Sequence, residues 1–349
     1  MNETQFLFLQ AARSLSQGYT SQLVIPRIIL RMGALAGPKI SVVIPCFNAE
    51  DTLQLQLMAL QEQDAAPDFE VVLVDNGSTD RTGEIIRDFA DSTSLTICHI
   101  NASDFQGASY ARNVGIRASS AERIMFCDAD DVVSRWWISH GDLCFDFSPV
   151  WNGSAILLTD EEFEGSLEDI RLAFGDKPKF EPPVAGRPTA FPVLMGGNFG
   201  ATKSALESVK AFDQSFVGAG EDNDLGFRFR RAGFEYPNAP SVRIGYRGKW
   251  DPRFIRSLAF RQAKAHALIA TRYGSWPDSP MPKVCRELIR VTGSAILMLT
   301  GKKTKDWGGL SNRASAAMGL GLGKLEYLYL GRLPGAEIGA GLESKNLAG

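Results

Sequence analysis

The sequence is poor in the residues on which most zinc enzymes and disulfide-bonded proteins depend. Its 349 residues include only 3 histidines and 5 cysteines. The histidines, His99, His140 and His266, show no HExxH-type spacing, so a zinc hydrolase of that kind is not expected. No CxxC pair occurs, and three of the cysteines lie in apolar runs. This pattern predicts buried thiols in a reducing compartment, and neither a disulfide framework nor a zinc site.

Long apolar runs and an excess of positive charge are also lacking. No segment reaches the roughly 20 apolar residues that span a bilayer. The start of the chain has no basic stretch before the apolar residues 6–9, so a signal peptide is not expected. The formal net charge is −3, which gives no basic field to attract nucleic acid. These absences predict a cytoplasmic protein that does not bind nucleic acid.

What the sequence does contain is a regular alternation of strand and helix patterns between residues 39 and 128. Apolar runs of strand length alternate with helical patterns, and a run of four to eight such residues is too short for a helix. The strands are predicted at 39–45, 69–74, 95–100 and 124–127, with helices between them. Such alternation predicts an α/β fold with a doubly wound, mostly parallel sheet.

Polar side chains follow three of these strands, at Asn48, Asp75 and Asp128 with Asp130. Because the carboxyl ends of parallel strands share one edge, these residues are expected to meet in one crevice. Side chains two apart on an extended segment point the same way, so Asp128 and Asp130 are expected to aim at one point. Two close carboxylates repel each other unless a proton or cation lies between them. A hard divalent ion that carries a substrate diphosphate would satisfy them.

The pattern becomes less regular after residue 135. The charged, Pro-rich stretch 161–192 predicts a mobile loop over the site. A Gly-rich stretch at 195–201 permits close backbone approach. A last short strand is predicted at 241–245, and the chain is helical from 251 onward.

These patterns divide the chain into an N-terminal extension (1–38), an α/β domain (39–248) and a helical C-terminal region (249–349). Both terminal regions mix apolar and basic residues, which leaves alternatives open. One is association with a membrane surface, where basic residues meet an anionic leaflet. The others are packing against the α/β domain or, for the extension, against a second subunit.

Five short motifs occur along the chain. They are 42–48 (VVIPCFN), 72–80 (VLVDNGSTD), 111–115 (ARNVG), 128–131 (DADD) and 220–225 (GEDNDL). In order and spacing they resemble the inverting family 2 glycosyltransferases of the GT-A fold, a Rossmann-like class that builds capsules, exopolysaccharides and glycolipids. The resemblance covers about residues 39–248. It implies a GT-A domain with a helical C-terminal extension.

The resemblance implies a binding site for a nucleoside diphosphate sugar, with uridine diphosphate donors favoured. Pro45, Phe47 and Asn48 would lie in the loop that grips the nucleotide. Asp75 would bond the edge of the base, and Arg112 would lie near the base and ribose.

The same resemblance implies a reaction centre. Asp128 would reach the ribose or a metal-bound water, and Asp130 would ligate Mg²⁺ or Mn²⁺ on the diphosphate. Asp222 would be the general base, with the neighbouring carboxylates Glu221 and Asp224 raising its pKa. Many relatives place a histidine after the last strand as a further metal ligand, whereas this chain has none there. The ion would then be held by Asp130, the diphosphate and water, or Arg247 would neutralise the diphosphate.

The acceptor is expected to be a glycan or a lipid-linked molecule in cell-surface polysaccharide biosynthesis. Gly197, Asn198 and Trp136 are the candidates for the acceptor side of the site. The enzyme is expected at the inner face of the cell membrane or free in the cytoplasm, and a homodimer is an open alternative.

Three other functions fit parts of the sequence. The run from Asp128 to Val132 matches the Asp-x-Asp-x-Val motif of haloacid dehalogenase-type phosphatases, and Asp142 with Asp146 resembles their later acidic motif. However, three strands precede the run and the later motif follows too soon. A sugar-nucleotide pyrophosphorylase would need a Gly-rich basic loop after the first strand, where Pro45 and Phe47 stand. A non-catalytic nucleotide-binding or scaffold protein remains the third alternative.

Overall fold

The computed structural model of the protein describes residues 37–186, 193–278, 284–302 and 304–343. All but the last two residues of the predicted N-terminal extension therefore lie outside the described residues. Within the described part of the chain, no helix combines the length and the apolar character needed to cross a membrane.

Eight strands form one mixed sheet. They are β1 (Ile40–Cys46), β2 (Phe69–Asp75), β3 (Thr96–Asn101), β4 (Arg123–Cys127), β5 (Val132–Val133), β6 (Val150–Leu158), β7 (Asn198–Thr202) and β8 (Asn238–Arg247). Their order is β3-β2-β1-β4-β7-β6-β8-β5. The first four strands are parallel, as predicted, and β6 pairs with β8 in parallel. β7 is antiparallel to both β4 and β6, and β5 is antiparallel to β8.

Helices fill the connections and the C-terminal region. They are α1 (Leu53–Gln61), α2 (Thr82–Ser92), α3 (Ala108–Ala118), α4 (Trp137–Cys144), α5 (Asp160–Phe163), α6 (Leu167–Ala173), α7 (Lys203–Ser208), α8 (Glu221–Arg231), α9 (Pro252–Arg272), α10 (Val284–Leu299) and α11 (Trp307–Gly323). A wider π turn, Lys324–Tyr329, continues α11.

The sheet is covered on both faces, which explains why its central strands are apolar throughout. In β1, Val42 and Ile44 pack in one core cluster with Leu57 of α1, whereas Val43 packs in the other with Val114 of α3. Successive strand side chains point to opposite faces, so a strand buried on both faces needs apolar residues at every position. The fold is the predicted α/β class, with helices on both sides of the sheet.

The strand register brings the predicted site to one edge. Cys46 at the end of β1 lies beside Asp75 at the end of β2. In the antiparallel pair, Cys127 at the end of β4 faces Asn198 at the start of β7. The loops after three parallel strands and the loop before β7 therefore converge at the same edge of the sheet.

The prediction of a mobile loop over 161–192 is wrong for its first part. Residues 160–173 form α5 and α6, each started by a capping box at Thr159 and Ser166. Phe163, Ile170 and Phe174 are buried in the core. The acidic residues lie on the outer faces of the two short helices and obscure the helical spacing of the apolar residues in the sequence, whereas Arg171 of α6 is buried and pairs with Glu62 at 2.8 Å. Residues 187–192 lie outside the described residues.

Candidate active site

A cavity of about 1340 Å³ opens at the carboxyl edge of the parallel strands. Its walls come from the loops after β1 and β4, the starts of α3 and α8, the end of β8 and one face of α9. Nine of the residues predicted from the sequence line it: Pro45, Phe47, Asn48, Arg112, Asp128, Asp130, Glu221, Asp222 and Arg247. The fold thus brings residues about 200 positions apart, such as Pro45 and Arg247, into one site.

The loops after β1 and β2 are locked together beside this cavity. Asn48 has a positive φ of 48°. Its backbone N–H donates to Oγ of Ser78 at 3.0 Å, and its Oδ1 accepts from the N–H of Thr79 at 2.8 Å. Asp75 is only 8% exposed and accepts from the N–H of Ser78 at 2.8 Å. The cavity lining at this point is Asn76, so Asp75 lies behind the wall rather than on it.

Arg112 joins the two acidic groups of the site. Its Nη2 donates to Oδ1 of Asp128 at 2.8 Å and its Nη1 to Oε1 of Glu221 at 3.3 Å. The guanidinium is 4% exposed and lies over the ring of Phe212. Burial alone would lower the pKa of Arg112, but the charges of Asp128 and Glu221 outweigh it and raise this pKa. Arg112 lines the cavity with its cationic group bound to these two carboxylates, and its place near the base and ribose stays a prediction.

Three aspartates converge where β4 ends. One carboxylate oxygen from each of Asp128, Asp130 and Asp131 lies within 4.8 Å of the others. Oδ2 of Asp130 lies 3.0 Å from Nζ of Lys249. Oδ1 of Asp131 accepts from the backbone N–H of Arg247 at 3.0 Å. The side chain of Arg247 donates to the carbonyl of Asp130 at 3.1 Å, which holds the acidic turn against the end of β8.

The cluster fits a divalent cation. Oδ2 of Asp131 is buried and has no hydrogen-bond partner among the described residues. Burial, followed by the charges of Asp128 and Asp130, raises the pKa of Asp131 well above its usual range. An oxygen-binding cation such as Mg²⁺ or Mn²⁺ would give the free oxygen a partner and neutralise the repulsion. Asp128, Asp130 and Asp131 are the residues that would hold it.

The sequence predicts no ligand role for Asp131, because in an extended acidic run only Asp128 and Asp130 point the same way. The strand ends at Cys127, and residues 129–130 form a turn. A turn brings a third carboxylate to the same point, whereas an extended chain would send it to the opposite side. Gly197 packs directly against the carboxylate of Asp128. A Cβ atom at this position would lie 2.5 Å from Oδ2 of Asp128, so a larger residue would displace that carboxylate.

Asp222 lies in the first turn of α8 and faces both the main cavity and a smaller one of about 300 Å³. Its Oδ1 accepts from the N–H of Asn223 at 2.7 Å and its Oδ2 from the N–H of Gly196 at 3.4 Å. Burial, then the neighbouring charge of Glu221, raises the pKa of Asp222 to about 6. A carboxylate with a pKa near neutrality can take up a proton and lose it again at cellular pH.

One of the three predicted acceptor-side residues, Asn198, is wrong, and the role of Trp136 stays a prediction. Gly197 does line the smaller cavity. Asn198, however, is fully buried, with its amide bonded to the carbonyls of Ser154 and Val242. Trp136 precedes α4 and lines neither cavity. The Gly-rich stretch does allow the close approach of Gly197 to Asp128. Successive side chains of a strand point to opposite faces, so the side chain of the next residue, Asn198, points into the core.

The wall formed by α9 was not found from the sequence. Leu258, Arg261, His266 and Ile269 of this helix line the main cavity. Burial lowers the pKa of His266 to about 4, so its imidazole is neutral at physiological pH. The helical periodicity of the sequence predicts α9, but it does not predict which face of this helix lines the cavity. Lys249 was also missed, because it follows the last motif and precedes the helix.

The phosphatase alternative fails on position. Asp142, which would carry the later acidic motif, pairs with Lys39 at 2.6 Å and with Arg123 at 2.5 Å. Arg123 begins β4, so Asp142 lies at the opposite end of that strand from Asp128. The two halves of the motif cannot act on one phosphate.

Comparison with known proteins agrees with this geometry. Residues 41–140 match the family model described as Glycosyl transferase family 2. The chain is 29% identical over 223 residues to validoxylamine A glucosyltransferase of Streptomyces hygroscopicus subsp. limoneus, which covers 56% of this chain and 49% of that protein. It is 40% identical over 106 residues to glycosyltransferase AglE of Haloferax volcanii, covering 30% and 34%. The chain therefore spans about half or less of the length of these relatives.

Solved structures share the fold. The mannosyltransferase PcManGT from Pyrobaculum calidifontis, in complex with GDP-Man and Mn²⁺, superposes with a TM-score of 0.55 at 17% identity, covering 93% of this chain and 94% of that one. Residues 1–349 of TarS from Staphylococcus aureus, in complex with UDP-GlcNAc, superpose with a TM-score of 0.50 at 15% identity, covering 83% and 92%. At such identities the likeness concerns the fold alone.

Proposed function

We propose that this chain, whose residues 41–140 match the model of glycosyl transferase family 2, is an enzyme of that family that transfers a sugar from a nucleoside diphosphate sugar to a hydroxyl group with inversion. Uridine diphosphate is the favoured carrier, and a glycan or lipid-linked molecule of cell-surface polysaccharide biosynthesis is the favoured acceptor. The observation that carries this proposal is that one cavity is lined by Asp222, a carboxylate of raised pKa, and by Asp128 and Asp130 of the three-aspartate cluster, which fits a divalent cation.

The donor end of the cavity is the end where the loops after β1 and β4 meet. Phe47 is half exposed there and offers a ring face to a base, while Asn48 holds the loop in place. Asp128 and Asp130 would hold Mg²⁺ or Mn²⁺ together with Asp131. Such an ion acts as a Lewis acid on a diphosphate leaving group. Arg247 lies beside the cluster and supplies further positive charge.

The catalytic step follows from the position of Asp222. Its carboxylate takes the proton of the acceptor hydroxyl while that oxygen attacks the anomeric carbon. The new carbon–oxygen bond forms as the bond to the diphosphate breaks, and the proton stays on Asp222. A single displacement inverts the anomeric centre. Arg112 holds Glu221 and Asp128 on either side of this centre, which positions the base relative to the donor end.

Donor binding is testable without knowing the acceptor. A panel of nucleotide sugars is added, each with Mn²⁺, and the melting temperature of the chain is measured. We expect the nucleotide sugar with the correct base and sugar to raise this temperature more than the other members do. A ligand at 100 times its Kd stabilises the folded state by about 2.7 kcal/mol. For a chain of this size that corresponds to a shift of at least a few degrees, which differential scanning fluorimetry resolves. No shift for any member of the panel would contradict the proposed donor class.

Association with an anionic membrane surface is the second part of the proposal. Helix α10 exposes large apolar side chains, with Ile289 at 73% and Leu299 at 74%. Arg286 and Arg290 are exposed on the same helix. Exposed apolar area marks an interaction surface, and adjacent basic residues complement anionic headgroups. A lipid surface of negative charge fits both features and would bring the enzyme to a lipid-linked acceptor.

Vesicle sedimentation tests this surface. The unchanged chain is expected to bind vesicles of phosphatidylglycerol and phosphatidylcholine more strongly than vesicles of phosphatidylcholine alone. Ile289→Asp with Leu299→Asp should reduce binding roughly tenfold or more, because each buried apolar side chain contributes about 1.5–3 kcal/mol. Leu172→Asp is the matched control, since Leu172 is 68% exposed on α6. Equal binding of all variants, or a dimer that only the double variant loses, would contradict a lipid surface.

A further inference from the structure

The wall of the cavity formed by α9 carries an arginine, Arg261, to which the proposed reaction assigns no role. Arg261 lines the main cavity, and its guanidinium lies 5.9 Å from the ring centre of Phe254. Among the described residues it forms no ion pair, and its buried Nε has no hydrogen-bond partner. Arg272 on the same helix shows the contrast, since it pairs with Asp213 at 2.7 Å. A buried guanidinium nitrogen without a partner costs free energy unless an external acceptor satisfies it.

Arg261 stands on the side of the general base. A Cβ atom on Gly218 would lie 3.2 Å from Nη1 of Arg261. One helical turn further, the methyl of Ala265 packs on Gly220, where a Cβ would come within 2.7 Å. Gly220 immediately precedes α8, and Asp222 is the second residue of that helix. The unpaired arginine is therefore packed on the loop that delivers the base.

A second cation borders the same ring. Nζ of Lys249 lies 5.5 Å from the ring centre of Phe254, while it pairs with Asp130. A divalent cation at Asp130 would repel this ammonium group and take its carboxylate partner. Lys249 would then be free to pair with an anion between Phe254 and the cavity. Two cations over one aromatic ring suit the charge of a phosphate better than that of a carboxylate.

We propose that Arg261, assisted by Lys249, forms a subsite for a phosphate group carried by the acceptor. The subsite rests on the proposed function, because it lies on the acceptor side of Asp222 only if the donor occupies the end near Asp130. It would hold the phosphate so that a neighbouring hydroxyl reaches Asp222. The acceptor class is then a phosphorylated glycan or a phosphate-linked lipid, which share the same anionic group.

The test uses the full chain saturated with UDP and Mg²⁺, with methyl phosphate as the probe in a ³¹P NMR titration. The unchanged chain is expected to bind one methyl phosphate and to prefer it to acetate. Arg261→Gln should weaken methyl phosphate binding roughly tenfold or more, the usual effect of losing charge-assisted hydrogen bonds. Arg253→Gln, an exposed arginine at the start of α9, should leave it unchanged. UDP affinity, measured by calorimetry, should stay within about twofold in both variants.

The outcomes separate the two proposals. Failure of the unchanged chain to bind UDP would overturn the proposed function and this subsite with it. Normal UDP binding with equal methyl phosphate affinity in the unchanged chain and Arg261→Gln would overturn the subsite alone. A loss of UDP affinity in Arg261→Gln would also overturn the subsite, because it would assign Arg261 to the donor diphosphate. Acetate binding as tight as methyl phosphate binding would overturn it as well.

Hexyl phosphate distinguishes the source of the phosphate. Leu258 and Ile269 give the same wall an apolar surface. Hexyl phosphate binding roughly tenfold tighter than methyl phosphate supports a lipid-borne phosphate, since each buried CH₂ contributes on the order of a few-fold in affinity. Equal binding of the two probes supports a phosphate on a water-soluble glycan. Either result requires the subsite.

Discussion

Replacing Asp222 by asparagine is expected to reduce the transfer rate by about 10²–10⁴-fold and to leave donor affinity nearly unchanged. Asparagine keeps the shape of the side chain, and its amide oxygen can still accept from the N–H of Asn223, while only the longer hydrogen bond from the N–H of Gly196 is lost. It cannot take up the proton of the acceptor hydroxyl. The kinetic loss should therefore appear in kcat, while UDP affinity measured by calorimetry stays the same.

The control is Glu207→Gln, which removes an exposed carboxylate on α7 and should change neither quantity. The pH profile gives an independent readout. Because the pKa of Asp222 is about 6, the base is protonated below that pH, and kcat/KM of the unchanged enzyme should fall about tenfold per pH unit there. Above it the rate should level off. Turnover that survives in Asp222→Asn would make the base assignment wrong, and absence of turnover in the unchanged chain with intact UDP binding would favour a non-catalytic protein.

Replacing Asp130 by asparagine is expected to weaken Mn²⁺ binding by at least roughly 10–100-fold, the loss typical even for groups that only support a metal ligand. The change removes one of three converging carboxylates and leaves Lys249 without its partner. The free Mn²⁺ signal in electron paramagnetic resonance measures this affinity directly, without any need for a donor or acceptor.

Lys249→Met should act in the opposite direction and tighten Mn²⁺ binding, because it removes the ammonium group that pairs with Asp130. Asp91→Asn, an exposed aspartate on α2, serves as the matched control. If Asp130→Asn and Asp91→Asn bind Mn²⁺ equally well, the three-aspartate cluster is not the metal site.

Much of the first half of the fold follows from the sequence because its signals are local. A strand buried on both faces must be apolar at every position, and the runs from Ile40 and Phe69 satisfy this rule. The helices between them show their apolar faces in the spacing of their residues. Once four parallel strands are predicted, the shared edge that collects Asn48 and Asp128 follows from topology alone.

The second half depended on contacts that local patterns do not carry. In α5 and α6 the buried apolar residues are separated along the sequence by exposed acidic residues, so the stretch has the composition of a loop. The direction of β7 is set by pairing with β4, and this pairing buries Asn198 while Gly197 faces the cavity. Sequence motifs supplied the residue types of the site, but not which group pairs with which. Arg112 binding two carboxylates and Lys249 reaching Asp130 are contacts between distant parts of the chain.

The stereochemistry of a single transfer tests the central proposal most directly. The donor that stabilises the chain in the nucleotide-sugar panel is incubated with Mn²⁺ and with methanol as a small acceptor, and the methyl glycoside is identified by ¹H NMR. A one-step displacement assisted by Asp222 predicts that an α-linked donor gives the methyl β-glycoside, and that Asp222→Asn gives almost none. Formation of the methyl α-glycoside, or an equal yield from Asp222→Asn, would contradict it.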